Sequence, residues 1–303
     1  YGIGDDMLST TALAMTCPVI VSPAMNVNMF HNPVVQDNLG RLAGYGKIII
    51  PPENGYLACG TTGDGKMPSE DVLYDYIVRE IGHEKDLAGK KILVTAGPTR
   101  EPLDPVRFLT NHSTGKMGYA IARQAMLRGA EVTLVSGPVE LTPPPFVEVV
   151  PVIRAADMFE AVKERWESQD IIIKAAAVAD YTPMQTAEDK IKKKDENMTL
   201  SLGRTQDILA WLGQHKKENQ VLCGFSMETR DVLENSMAKL MRKNADMIAA
   251  NCLKEDGAGF GTDTNHLSLI CKNGVDDLPM LSKEAAADKL LDGLKNLWDG
   301  KNG

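Results

Sequence analysis

Several absences narrow what this 303-residue chain can be. Its five cysteines, Cys17, Cys59, Cys223, Cys252 and Cys271, nowhere fall at CxxC spacing, so neither a disulfide framework nor a zinc knuckle is indicated. Scattered thiols of this kind fit a reducing cytoplasm. No apolar run reaches about 18 residues, which argues against a membrane-spanning helix. Basic charge is in deficit: 33 Lys and Arg against 41 Asp and Glu leave a net charge of -8, the wrong balance for a protein that coats nucleic acid. The loop over 111–118 is neither GxGxxG nor GxxxxGK[ST], and the chain shows no internal repeat or low-complexity tract. An initiator Met is missing too. The chain opens on a loop-like YGIGDD, which reads as a sequence cut in its middle rather than as a signal peptide.

What is present suffices for two domains, each with its own core. Residues 9–16 are small and apolar enough for a helix. A buried strand over 18–22 follows, then the turn Pro23-Ala24-Met25-Asn26 and a strand over 47–50. After these come a glycine-rich loop over 55–67 and a helical pattern over 69–81. That is too few strands for a complete sheet. Beyond a linker at 82–86 the pattern becomes regular. Strands are expected over 91–95, 131–135, 147–150, 170–177, 220–226 and 246–250, and helices over 116–128, 155–167, 206–217 and 230–243. A hairpin around Asn273-Gly274 and a helix over 282–298 close the chain. Alternation of this kind predicts an α/β fold, a Rossmann-like doubly wound and mainly parallel sheet with helices on both faces. Runs such as Ile171-Ile172-Ile173 are apolar throughout, as strands covered on both faces should be.

The segment 90–118, KKILVTAGPTREPLDPVRFLTNHSTGKMG, carries the most chemistry. A buried strand turns at Ala96-Gly97-Pro98, and a small-residue loop, Ser113-Thr114-Gly115, opens a helix. Free N–H groups and the helix dipole favour an anion there. Arg100, Arg107, Asn111, His112 and Lys116 lie between or beside the turns, more polar equipment than a connection requires. A second candidate is KAAAVADY, 174–181, a strand ending in Asp180 and followed by the basic run Lys190, Lys192, Lys193, Lys194. Asp180 reads equally as a cap, and the run as a solvated face. At a strand's carboxyl end in an acidic chain, a counter-charge for polyphosphate is the better reading of the lysines. A third strand end, Gly224 to Glu228, precedes a helix whose Lys239 and Lys243 share a face at i, i+4. Phe225 is either core or a stacking surface. In the first domain Asn26 reads as a turn residue or a ligand contact. Cys59, in LACGTTGDGKM, is poorly placed for core and suits a proton donor or nucleophile on a lid.

With these motifs quoted, the sequence resembles the bacterial bifunctional coenzyme A biosynthesis flavoproteins. These join a phosphopantothenoylcysteine decarboxylase to a phosphopantothenate–cysteine ligase. The similarity runs through the chain in PAMN, ACGTTGDGKM, AGPTREPLDPVRFLTNHSTGKMG and AAVADYTP followed by DKIKK. The resemblance implies that 1–85 is the C-terminal part of the decarboxylase domain, flavodoxin-like or Rossmann-like, and that 86–303 is the ligase domain. It implies that CTP activates 4'-phosphopantothenate as an acyl-cytidylate, with loss of pyrophosphate, and that the amine of L-cysteine then displaces CMP. Carried onto these positions, Asn111 handles the acyl-cytidylate with Arg107 beside it, and Lys190 stabilises charge at the α-phosphate. Ala177, Asp180, Phe225, Lys239, Lys243 and the GRTQ stretch Gly203, Arg204, Thr205, Gln206 contact CTP. Mg²⁺ is expected with the triphosphate, without a nameable ligand carboxylate. In the other half Asn26 binds substrate and Cys59 donates a proton on the substrate clamp, while FMN oxidises the thiol. The family's flavin phosphate loop and catalytic His lie upstream of Tyr1, and His31 and His83 do not sit in that motif. FMN is therefore expected in a full-length parent and this half is expected to be incomplete. Dimeric ligase domains and trimeric decarboxylase domains are implied as well, with no nucleic-acid or membrane partner. Two other readings stay open: an NADPH-dependent Rossmann oxidoreductase, and a non-catalytic regulatory module.

Overall fold

Apolar strands alternating with amphipathic helices fold the chain into two units, Tyr1–Glu84 and Lys85–Gly303. The computed structural model describes residues 2–193, 197–228, 232–252 and 261–303. Lys194 and the first residues of the helix expected at 230–243 lie outside the described residues.

In the first unit the elements are α1 (Met7–Ala14), β1 (Ile20–Val21), α2 (Val27–Phe30), α3 (Pro33–Gly44), β2 (Ile48–Ile49), β3 (Glu53–Tyr56), β4 (Thr62–Lys66) and α4 (Glu70–Ile81). Asp6 starts α1 two residues ahead of the expected position, because its carboxylate accepts from the Ser9 amide at 2.7 Å. Helix α3 has no counterpart in the sequence reading. Its start signal is nevertheless there, Asn32 as N-cap followed by Pro33 in the first turn. The expected strands shrink to a two-residue parallel pair, β1 with β2. The glycine-rich stretch is not a loop but an antiparallel hairpin, β3 with β4. Gly65 in that hairpin has φ +122°, and a Cβ there would strike the Met25 carbonyl. Only glycine lets the hairpin approach the PAMN loop, where the Met25 amide donates to the Gly65 carbonyl at 2.9 Å. Of the apolar side chains described in this unit, Ile50 and Leu57 are buried.

The second unit contains β5 (Lys91–Ala96), β6 (Arg100–Pro102), β7 (Phe108–Thr110), α5 (Lys116–Leu127), β8 (Glu131–Ser136), β9 (Glu148–Pro151), α6 (Ala155–Lys163), β10 (Ile171–Lys174), β11 (Tyr181–Pro183) and β12 (Leu202–Arg204). It continues with α7 (Ile208–His215), β13 (Val221–Glu228), α8 (Val232–Arg242), β14 (Met247–Cys252), β15 (Thr264–Asn265), β16 (Leu267–Cys271), β17 (Gly274–Asp277), β18 (Leu281–Ser282) and α9 (Lys283–Asn302). The main sheet runs β17-β16-β14-β13-β10-β5-β8-β9. Six strands, from β14 to β9, are parallel, and the β16–β17 hairpin is antiparallel at one edge. In chain order the parallel strands read 3-2-1-4-5-6, the dinucleotide-binding order, so the Rossmann-like expectation holds.

Strand alternation splits the core. Leu93, Val135, Ile172, Leu222 and Ile248 pack with Met158, Phe159, Ile208, Leu212 and Leu240 from α6, α7 and α8. Ile92, Val94, Ile171 and Ile173, also fully buried, point to the other face. Each such side chain contributes roughly 1.5–3 kcal/mol by burial, and the sheet is covered on both faces. Two expected elements are shorter than read. Strand β10 stops at Lys174 rather than 177, because Ala175 and Ala177 turn their amides to the carbonyls of Thr95 and Gly97 at 3.2 and 3.0 Å. Helix α6 stops at Lys163 and is followed by a single 3₁₀ turn, Trp166–Ser168. Three short antiparallel pairs outside the main sheet, β6–β7, β11–β12 and β15–β18, were not legible from periodicity.

Candidate functional site

The crossover from β5 leads to β8 on one side, and that from β10 leads to β13 on the other. Their carboxyl ends therefore part at a topological switch point, the place where open α/β sheets bind ligands. Gly97 (φ +73°) turns the chain off β5, and Gly115 (φ +80°) is the N-cap of α5. Gly118 lies so close to β5 that a Cβ would come within 2.6 Å of the Ala96 Cβ. These positions press the first turn of α5 onto the strand end. Its N-cap makes no side-chain hydrogen bond, so the amides of the first turn remain open to an anion.

A cavity of about 300 Å³ lies against this turn. Among the described residues Lys116, Lys174, Lys239 and Lys283 line it with one carboxylate, Asp180, and Lys116 is also paired with Asp263 at 2.6 Å. In a chain of net charge -8 that is a concentrated cationic site. Asn251 and Asn265, both 4% exposed, also line it, and each has a side-chain carbonyl oxygen without a hydrogen-bond partner among the described residues. Buried acceptors left this way cost stability unless a ligand or water meets them.

A second cavity, about 520 Å³, adjoins the first and shares Lys174, Val178, Asp180, Phe225 and Lys239 with it. Its remaining wall includes Arg204, Thr205, Gln206, Asp207, Arg242 and Lys243. The Thr205 amide and hydroxyl donate to the carbonyls of Asp180 and Ala179, at 3.0 and 2.6 Å, and fix the GRTQ stretch to the end of KAAAVADY. Gly203 sits in β12 opposite Thr182. Lys239 donates to the Phe225 carbonyl at 2.8 Å, and Lys243 pairs with Asp207. Both lysines line this cavity, and half-buried Phe225 faces both cavities.

Asn111, Arg107 and Lys190 line neither cavity. The Asn111 side chain donates to the Ala177 carbonyl at 2.9 Å and ties the two strand-end loops together. Arg107 grips Asp104 through Nε and a terminal nitrogen at 3.0 and 2.6 Å, and donates to the Ile191 carbonyl at 2.9 Å. Asp104 in turn accepts from the amides of Val106, Arg107 and Ile191. The Arg107 guanidinium, helped by these amides, holds the Asp104 carboxyl well below the usual carboxylate range. A further bond, Ala187 amide to Leu103 carbonyl at 3.0 Å, anchors the loop upstream. Exposed Lys190 thus lies between two fixed points. Sequence reasoning missed Asp104, Lys174, Asn251, Asn265 and Lys283. The strand-end rule would have found Asn251 in IAAN.

In the first unit the hairpin brings together two residues 33 positions apart. The Asn26 amide nitrogen is 3.3 Å from Cys59 Sγ, while its oxygen caps α2 by accepting from the Asn28 amide at 2.9 Å. The turn reading of Asn26 is thus seen in its cap, and its amide nitrogen is placed beside the Cys59 thiol. Thr61 Oγ1 lies 3.2 Å from the thiol. Hydrogen bonding by Thr61 first, then Asn26, brings the Cys59 thiol below its ordinary value. The two residues line a cavity of about 360 Å³ with Met25, Tyr56, Leu57 and Met67. Its walls are largely apolar, and Cys59 sits on a hairpin turn rather than on a loop lid.

Family models match both units. The DNA/pantothenate metabolism flavoprotein C-terminal domain matches residues 87–297, and the flavoprotein domain matches residues 1–82. The chain belongs to this flavoprotein family. It is 49% identical over 286 residues to the coenzyme A biosynthesis bifunctional protein CoaBC of Bacillus subtilis, covering 93% of this chain and 70% of that protein. It is also 47% identical over 294 residues to a cysteine/cysteine sulfinic acid decarboxylase from an unknown prokaryotic organism, covering 95% of this chain and 82% of that one. The crystal structure of the C-terminal domain of a CoaBC protein superposes with TM-score 0.62 at 44% identity, over 72% of this chain and all of that one.

Proposed function

We propose that residues 85–303 join 4'-phosphopantothenate to L-cysteine at the expense of CTP, a step of coenzyme A biosynthesis. The observation that carries this reading is the pair of adjoining cationic cavities at the switch point, one of them against the open first turn of α5. The triphosphate lies over Ser113–Gly118 and the nucleoside beside Arg204, Thr205 and Gln206. A carboxylate oxygen of phosphopantothenate attacks the α-phosphorus, the bond to the β-phosphate breaks, and pyrophosphate leaves with its electron pair. The cysteine amine then attacks the acyl carbon, the C–O bond breaks, CMP leaves, and the amine loses its proton. Asn111, held on the Ala177 carbonyl, orients the acyl group. Lys190 reaches the α-phosphate from its loop, where Arg107 and Asp104 position it, and offsets charge that grows in the transition state.

Mg²⁺ fits this site as a rider on the phosphates. Among the described residues no cluster of three His, Cys, Asp or Glu gathers to hold a metal ion, whereas Asn251 and Asn265, which line the cavity, carry buried oxygens without a partner that are hard donors. The ion would screen phosphate charge. Residues 2–84 contribute to decarboxylation of the ligated product: Asn26 binds the substrate and Cys59 supplies a proton. FMN would supply thiol oxidation. The cavity beside Cys59 fits the thiol substrate, and we assign no residue of this chain to the flavin phosphate. The place of action is the cytoplasm; among the described residues no helix is long and apolar enough to cross a membrane. Ligase domains pair through the exposed apolar residues of the short hairpins, Val106, Phe108, Tyr181, Met184 and Leu202, which light scattering of the purified protein tests. Trimeric decarboxylase units follow from family resemblance alone.

The test is pyrophosphate release on mixing protein, CTP, Mg²⁺ and phosphopantothenate, with ATP and NADPH as comparison nucleotides. Release with CTP and its loss in Lys190→Ala, at an unchanged melting temperature, support the reading. Thermal stabilisation by NADPH but not CTP would instead favour an oxidoreductase. Absence of release, with Lys190→Ala silent, would favour a regulatory module.

A further inference from the structure

Lys174 is the last residue of the central strand β10, in register with Thr95 of β5 and Gly224 of β13. It stands directly beside the switch point, and its side chain lines both cavities. Its ammonium donates to the Ala176 carbonyl at 3.0 Å, which leaves two of its three donors without a protein acceptor among the described residues. The charged groups facing it are Lys239 in α8, Lys243 just after that helix, Asp207 at the start of α7 and Asp180 on its own loop. Of the two carboxylates, Asp207 is already engaged by Lys243 and by the Ala210 amide. A half-buried cation next to a second lysine, with no carboxylate in ion-pair contact among the described residues, is costly in the free protein. Burial, reinforced by Lys239, pushes its pKa down to about 8.

Resting on the ligase reading above, we infer that Lys174 binds the α-phosphate of the nucleotide, at the seam where the phosphate cavity meets the nucleoside cavity. The α-phosphate is the one group of a triphosphate that must sit between its phosphates and its sugar. It is also the group bonded to the acyl oxygen after the first step and expelled with CMP in the second. Lys190 approaches this phosphate from the surface loop. Lys174 approaches from the sheet, is pre-placed, and gains in the complex the anion that the free protein does not give it. Binding therefore restores the lysine's proton affinity, and the nucleotide takes up a proton with it near pH 8.

The experiment compares wild type, Lys174→Met and Lys174→Arg in pyrophosphate release, varying CTP and pH, with melting temperatures recorded without nucleotide. In Lys174→Met, kcat/KM for CTP should fall about 10- to 100-fold, the range for a hydrogen bond to a charged partner, while KM for cysteine stays put. Lys174→Arg should recover most of the loss. The wild-type CTP profile should decline above pH about 8, and that decline should be absent in Lys174→Arg, whose charge does not titrate in this range. Without nucleotide, wild type should gain stability as pH rises past about 8, because the unfolded chain then holds the proton more tightly, and Lys174→Met should not. A Lys174→Met enzyme within twofold of wild type for CTP, or an alkaline decline that persists in Lys174→Arg, overturns the assignment. Should Lys174→Met not fold, the Lys174→Arg profile decides alone. Failure of wild type to release pyrophosphate is a different outcome, and it removes the ligase reading itself.

Discussion

The two units reach a candidate site by different routes. In residues 85–303 the site depends on long-range order: eight strands in register, with ligand-facing residues drawn from β5, β10, β13 and β14 and their loops. In residues 2–84 a hairpin and one turn suffice. Gly65 admits the PAMN loop and Asn26 meets Cys59, although the unit's parallel pair is only two residues long. The difference teaches that a local contact between functional groups can form without a deep core, whereas a polyanion site cannot. Four lysines around one cavity repel one another, and only a rigid frame holds them together.

The largest expected effect separates the frames themselves. In hydrogen exchange of the purified chain, amides of β5, β10 and β13 should be protected by several orders of magnitude more than those of β1 to β4, because protection follows cooperative burial. Equal protection would erase the contrast. Next, Gly118→Val drives a side chain into Ala96. It should cost about 1–3 kcal/mol by overpacking and lower the melting temperature of the second unit while leaving the Cys59 environment untouched. Thiol alkylation before and after the substitution reports the latter.

Acid should weaken the second unit through its paired carboxylates. Asp104, beside Arg107, and Asp86, beside Arg128, both have carboxyls held below their ordinary values. Their contribution is fully present above the unfolded carboxylate value of about 4 and is lost as pH falls through the folded values. The second unit's stability should therefore be flat from neutrality to roughly pH 5 and decline below about 4, followed by circular dichroism. The smallest effect concerns Cys59. Thr61→Val removes the first contributor to its lowered pKa and should slow alkylation of this thiol a few-fold at neutral pH, with no change in melting temperature.

Much of the larger fold was legible because its strands are apolar on both faces. Ile171-Ile172-Ile173 needs no tertiary information to read as a buried strand. The short hairpins were not, since three residues such as Arg100–Pro102 cannot display a period. Helix α3 is announced by its cap, Asn32-Pro33, and not by apolar periodicity, since none of its residues is buried. In the site, residue type carried information where chemistry is unusual: Asn111, Lys239 and Cys59 could be singled out by sequence. Lys174 could not be. It stands at the end of an apolar strand, and only geometry reveals that it faces two cavities with one acceptor. Asn251 and Asn265 are ordinary in sequence and become informative only as buried oxygens without a donor.

The central claim, that the switch-point cavities form the site of a CTP-dependent ligase, is tested most directly by omitting cysteine. With CTP, Mg²⁺ and phosphopantothenate alone, the chain should release pyrophosphate in a burst of about one equivalent per site, because the acyl-cytidylate stays bound until an amine attacks it. CMP should follow only when cysteine is added. No burst, or CMP formed at the same rate with and without cysteine, would contradict the account.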